Sequence, residues 1–124
     1  MLFDFLSFLH ARFGIALLVF AALLGLLGTF QLLTRRQVGG GFRSGFLLLW
    51  GLTLLQGLIG AGTLIGGGRP REILHLVYGI FAVLFLPGVY VYAGGRRKDT
   101  EAMLLTIACW VVAIAYGRGI MTGA

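Results

Sequence analysis

Apolar residues along this chain neither alternate nor keep to one helical face. They come in four long runs separated by short polar connections. The first, 13–33, has 21 residues and no charge. The second, 45–65, is interrupted only by Thr53, Gln56 and Thr63. The third, 73–92, has His75 near its start, and the fourth, 102–121, has Arg118 near its far end. A helix of ~20 apolar residues crosses the ~30 Å hydrocarbon core of a bilayer. Lipid offers backbone groups no partner, so a spanning segment must be a helix or part of a closed barrel. Barrel strands would show alternating segments of roughly ten residues, and these runs do not alternate. The pattern predicts an all-α membrane protein: one domain, 1–124, folded as a four-transmembrane-helix bundle built from two similar helical hairpins.

Composition agrees. Of the 124 residues, 59% are hydrophobic and 11% charged, with mean hydropathy +0.98. Soluble domains carry about 25% charged residues. The net charge is +6, but the basic residues collect in the connections, which is a topology signal and not a nucleic-acid footprint. Connection 34–44 holds Arg35, Arg36 and Arg43, and connection 93–101 holds Arg96, Arg97 and Lys98. The opposite side holds Arg12, Arg69, Arg71 and Arg118. The excess of basic residues predicts that the first set faces the cytoplasm and that both termini lie outside. A bacterial or archaeal cell membrane is the expected location. Residues 1–9 hold Asp4 and no lysine or arginine, so the first run reads as a retained anchor and not a cleaved leader. Cys109 is the sole cysteine and reads as a small core residue. Pro87 should kink the third helix. No acidic residue lies inside the four runs, which argues against proton relays and ion pumping.

The candidate chemistry lies in a repeat. His10-Ala-Arg-Phe13-Gly14-Ile15 recurs as His75-Leu-Val-Tyr78-Gly79-Ile80, and these are the two histidines of the chain, 65 positions apart. A weaker echo places Gly57 seven residues after Trp50 and Gly117 seven after Trp110. Two like hairpins imply a pseudo-twofold axis along the membrane normal. His10 and His75 then sit at similar depth and face each other across the bundle. Neutral imidazole is a good iron ligand, and bundles build cofactor sites in this way. Gly14 and Gly79 follow their histidines by four residues, hence on the same helix face. They stand where a porphyrin edge would pass. The expectation is one haem b per chain, ligated by His10 and His75. Arg12, Arg69, Arg71 and Arg118 share the histidine side and are candidate partners for the haem propionates. Gln56 reads as an interhelix hydrogen-bonding residue. Gly62-Thr-Leu-Ile-Gly66 has the spacing of close helix packing.

Four helices, with a histidine at the start of the first and third, resemble one half of a haem A synthase. The stretch Leu54-Leu-Gln56-Gly57-Leu-Ile-Gly60-Ala-Gly62-Thr63 is similar to the Leu-Gln-x-x-x-Gly-Ala segments of that family. The resemblance covers most of the chain and implies axial ligation by His10 and His75. Full-length members have two such halves, one holding haem b and the other the haem being oxidised. Here Ser7 stands where the catalytic half resembles Glu-x-x-His, and a Glu-x-x-His occurs instead at Glu72–His75. The family's outer cysteine pair has no counterpart. The resemblance therefore implies a structural or electron-transferring haem b. Electron transfer is the expected role, with other membrane redox subunits or a second copy of the chain as partners and quinol as a candidate donor. Four-helix b-type membrane cytochromes are a weaker resemblance, since those use four histidines. Two alternatives stand beside this reading. One is an accessory subunit of a respiratory or photosynthetic complex. The other is a half-size haem A synthase acting as a dimer.

The orientation is checked with a reporter fused after Ala124. It should be active only when it reports from outside; cytoplasmic activity would reverse the orientation.

Overall fold

The computed structural model describes residues 2–67 and 73–123. Four helices follow in order: α1 Leu2–Arg35, α2 Gly40–Ile65, α3 Leu74–Ala93 and α4 Lys98–Gly123. All four are long and apolar enough to cross a membrane. Helix α1 starts eleven residues before the expected span, so His10 lies two turns inside it and not at its opening. The physical reason is local. Leu2 to Leu9 contains no glycine or proline, and Asp4 sits in the first turn, where a negative charge favours the helix. Helix α4 likewise begins at Lys98, with Asp99 and Glu101 in its first turn.

Helix α1 packs on α2 and α4, and α3 packs on α4 and more loosely on α2. Thus α1 and α3 stand diagonally across the bundle. The inward residues recur at alternating steps of four and three. On α1 they are His10, Gly14, Leu17, Ala21, Leu24 and Gly28; on α2 they are Phe42, Phe46, Leu49, Thr53, Gln56 and Gly60. That is the repeat of about 3.5 residues by which helices mesh side by side. The two ends of the bundle differ. Phe42, Phe46, Leu17, Leu49, Leu86, Leu105, Val112 and Cys109 fill one half completely. In the other half the seams carry glycine, alanine, glutamine and histidine. Outward positions are apolar almost throughout: Leu84 is 67% exposed, Val91 76% and Leu58 71%. Water would penalise such a surface and lipid would not.

Polar groups between the helices are used to satisfy backbone. Pro87 has no N–H, so the Val83 carbonyl four residues earlier loses its helical partner. The Trp50 indole N–H, from α2, donates to that carbonyl at 3.3 Å. Helix α3 thereby continues through Pro87. Trp110, the counterpart in the second hairpin, donates at 3.0 Å to the Thr29 hydroxyl, which donates to the Gly25 carbonyl. Both tryptophans thus bond from an even-numbered helix to an odd-numbered one of the other hairpin, as the pseudo-twofold relation requires. Arg43 and Glu101 form an ion pair between α2 and α4 at the basic end. Arg69 and Arg71, with Glu72, lie outside the described residues.

Glycine packing generates a test. A Cβ on Gly28 would lie 2.5 Å from Thr106 Oγ1 and 2.7 Å from the Phe42 ring, whereas one on Gly51 would meet nothing within 4 Å. Gly28→Ala should destabilise the bundle by about 1–3 kcal/mol through overpacking. Gly51→Ala should be neutral or stabilising by up to about 1 kcal/mol. Unfolding midpoints in detergent measure both, and equal midpoints would refute this packing.

Candidate functional site

The two histidines meet. Their ring centroids are 5.7 Å apart and their planes 76° apart, so the residues 65 positions apart in sequence face each other between diagonal helices. Each ring lies on a glycine of the helix that follows it. For His10 this is Gly60, where a Cβ would stand 2.9 Å from the imidazole Cε1. For His75 it is Gly119, whose carbonyl lies 2.8 Å from Nδ1. A carbonyl only accepts, so Nδ1 of His75 carries the proton. In the neutral ring this leaves the lone pair on Nε2. A backbone carbonyl on one imidazole nitrogen is the arrangement that orients metal-bound histidines.

Helix α2 supports the other ring through its partner's backbone. The Gln56 amide donates to the His10 carbonyl at 2.7 Å. This is an interhelix bond, as expected for Gln56. Two buried atoms at this level are left without a hydrogen-bond partner among the described residues: His10 Nδ1 and Gln56 Oε1. Buried polar atoms are normally paired, and an unpaired one costs about 1–3 kcal/mol. Both atoms are covered by their neighbours, so this level of the bundle carries unpaired polar groups behind the cavity wall.

That cavity measures about 220 Å³ and is lined by both histidines. Gly14, Gln56 and Gly57 form part of its wall, with Tyr78, Gly79 and Ala82 on α3 and Ala115, Tyr116 and Gly119 on α4. Its floor is closed where the Tyr116 and Thr53 hydroxyls share a hydrogen bond of 2.6 Å. The two glycines of the repeated motif both line it, but they differ. A Cβ on Gly14 would stand 3.0 Å from Gln56 Nε2, so this glycine makes room for the glutamine. A Cβ on Gly79 would meet nothing within 4 Å. Gly79 is exposed, so the space beside it is open at the cavity's edge.

Arg12 and Arg118 are elsewhere. Arg12 is exposed, with its guanidinium 5.4 Å from the Phe8 ring centre. Arg118 is exposed on α4 and does not line the cavity. Arg69 and Arg71 fall outside the described residues. Sequence reasoning also missed Gly60, Gly119, Tyr116 and Thr53 as site residues. The four-and-three spacing is the signal that finds them. Counting from Phe42 reaches Thr53 and Gly60, and counting from Ala102 reaches Tyr116 and Gly119.

The donors limit what can bind. Among the described residues there is no group of three or more His, Cys, Asp or Glu side chains able to hold a metal ion. A bare ion would find only two imidazoles. A metal that brings its remaining ligands with it, as in a porphyrin, needs just those two. A metal–imidazole bond of about 2 Å on each side puts the two nitrogens about 4 Å apart. Ring centres stand farther apart than the nitrogens on both sides, so rings at 5.7 Å would separate slightly to take a metal between them. The volume of 220 Å³ lies below the ~300–1,000 Å³ usual for ligand pockets. A whole porphyrin needs more room than this, and the α2–α3 seam, the most loosely packed of the four, is where the bundle would open to take one.

Comparison with family models, with curated proteins and with solved structures returns no match.

Gly79 supplies the direct test of the cavity. Gly79→Leu meets no neighbour at Cβ and adds a better helix former, worth about 1 kcal/mol. The variant should unfold no more easily than the parent, yet it should take up severalfold less of any haem offered to it. Unchanged haem content would mean that Gly79 does not border the ligand.

Proposed function

We propose that this chain is an integral membrane protein that holds one haem b between His10 and His75 and passes single electrons near the outer face of the membrane. The observation that carries the reading is the facing pair itself: 5.7 Å between ring centres, with one imidazole already oriented by a backbone carbonyl. The membrane placement rests on the four apolar helices and their exposed apolar flanks. The direction rests on the basic connections.

When bound, the haem would supply a one-electron iron couple. The chain's own residues determine how that couple is used. His75, held by Gly119, keeps Nε2 unprotonated and aimed. His10, pressed against Gly60 and tied through its carbonyl to Gln56, sets the opposing position. Two protein ligands leave no site for oxygen, which favours electron transfer over oxygen chemistry. Thr53 and Tyr116 close the floor, and below them Leu17, Leu49, Leu86 and Val112 exclude water. Exclusion of water and burial are among the protein's means of tuning a haem potential. A single haem at one end cannot carry charge across the bilayer. The electron would pass laterally, between a quinol or partner redox subunit and a second centre.

The accessory-subunit reading, with a pigment on a histidine, fits the geometry less well. A pigment on one histidine would give no role to the second imidazole that faces it. The half-size synthase reading needs an acid near the haem, and its candidate Glu72 lies outside the described residues.

Purified protein should contain about one haem b per chain. His10→Ala and His75→Ala should each give five-coordinate iron or haem-free protein, and the double variant should be no worse than the singles, since both ligands serve one iron. Pyridine haemochrome assays and reduced-minus-oxidised spectra measure this. Two alanine variants with parental spectra would sink the proposal.

A further inference from the structure

We propose that the groove between the end of α1 and the start of α4, at the basic end of the bundle, binds the phosphate of an anionic phospholipid through Arg36. The groove has a volume of about 340 Å³ and is lined by Leu32, Leu33, Arg36, Asp99, Thr100 and Met103. It lies at the far end of the bundle from the histidines.

The first observation is a backbone anomaly. Arg36 has φ 55°, in the left-handed region that side chains with a Cβ disfavour. It sits just past α1 and closes the helix, its N–H donating to the Leu32 carbonyl at 3.1 Å. Helices that end in this way usually use glycine and sometimes asparagine. The other positive-φ residues among those described are Gly67 and Gly95, and Gly95 occupies the matching connection between α3 and α4. A chain with 21 glycines thus places arginine at a positive-φ turn that borders a groove. A local rule broken without local gain marks a residue retained for something else.

The second observation is charge. Six basic residues gather at this end. Arg43 engages Glu101, Arg97 engages Asp99, and Arg96 donates to the Tyr92 carbonyl while stacking on its ring. Arg35, Arg36 and Lys98 add positive charge beyond these contacts. Asp99 also lines the groove, but its two oxygens accept from Arg97 and from the Thr100 N–H. Its charge is answered within its own turn, so it does not oppose an incoming anion.

The third observation is the wall. Leu33 is 78% exposed and Met103 44% exposed, and with Leu32 they continue the groove as an apolar surface below the guanidinium. An anionic head above an apolar strip is the chemistry of a phospholipid, and basic residues beside a membrane attract such lipids. The inference rests on the membrane placement proposed above and is independent of the haem.

The test uses the whole chain and its Arg36→Gly variant. Thermal midpoints are followed in neutral detergent during titration with phosphatidylglycerol, phosphatidylcholine or glycerol phosphate. Phosphatidylglycerol should raise the parental midpoint more than phosphatidylcholine does, and glycerol phosphate should not. Without lipid, Arg36→Gly should match or exceed the parent, because glycine relieves the turn. It should nevertheless need at least about five-fold more phosphatidylglycerol for the same rise, the loss expected for one cation near a membrane surface. A parental lipid response in the variant, or an equal effect of glycerol phosphate, would overturn the site. Failure of the parent to float with vesicles of either lipid would overturn the membrane placement and this inference together. Flotation without a response specific to phosphatidylglycerol would overturn this inference alone.

Discussion

Backbone groups in apolar surroundings must find partners within the protein, and this constraint organises the bundle. Proline in α3 strands a carbonyl, and Trp50 crosses from α2 to meet it. Thr29 joins Trp110 to the α1 backbone. Near the histidines the same kind of bond does something further. His75 donates to the Gly119 carbonyl and Gln56 to the His10 carbonyl, so helix association and ligand orientation are served by the same contacts. Removing either side chain would loosen a helix pair and misplace an imidazole together.

The unequal filling of the bundle follows from the seams. Large side chains meet at the basic end, where Phe46 stacks on Tyr90 and Phe42 lies beside Gly28. Toward the histidines the same positions carry Gly14, Gly60, Gly79 and Gly119. A packed half holds the helices, and a less filled half offers a site. Rigid support beneath a site is what keeps ligands in place, since a positional slack of 1 Å is enough to spoil one.

Much of this was legible in the sequence. Four apolar runs specified four helices, and the His-x-x-aromatic-Gly repeat anticipated the facing rings, because helices one and three run in the same direction. The start of α1 was not legible: residues 2–9 are as compatible with helix as with an irregular entry, and no capping residue marks a boundary. The roles of Gly14 and Gly79 were not separable, since only packing reveals that Gln56 occupies the space beside one of them. The arginines were legible in a way that hydropathy alone misses. Arg12 follows His10 by two residues, about 200° around the helix, and so points away from the seam. Its position along the helix near His10 was legible, and its facing was not.

The central claim is that His10 and His75 ligate one iron. Electron paramagnetic resonance of the oxidised, purified protein tests it most directly. The rings stand 76° apart, and bis-imidazole ferric haem with nearly perpendicular ligand planes gives a low-spin signal of unusually large anisotropy. That signal is the predicted result. A high-spin signal from five-coordinate iron, or protein that carries no haem at all, would contradict the account.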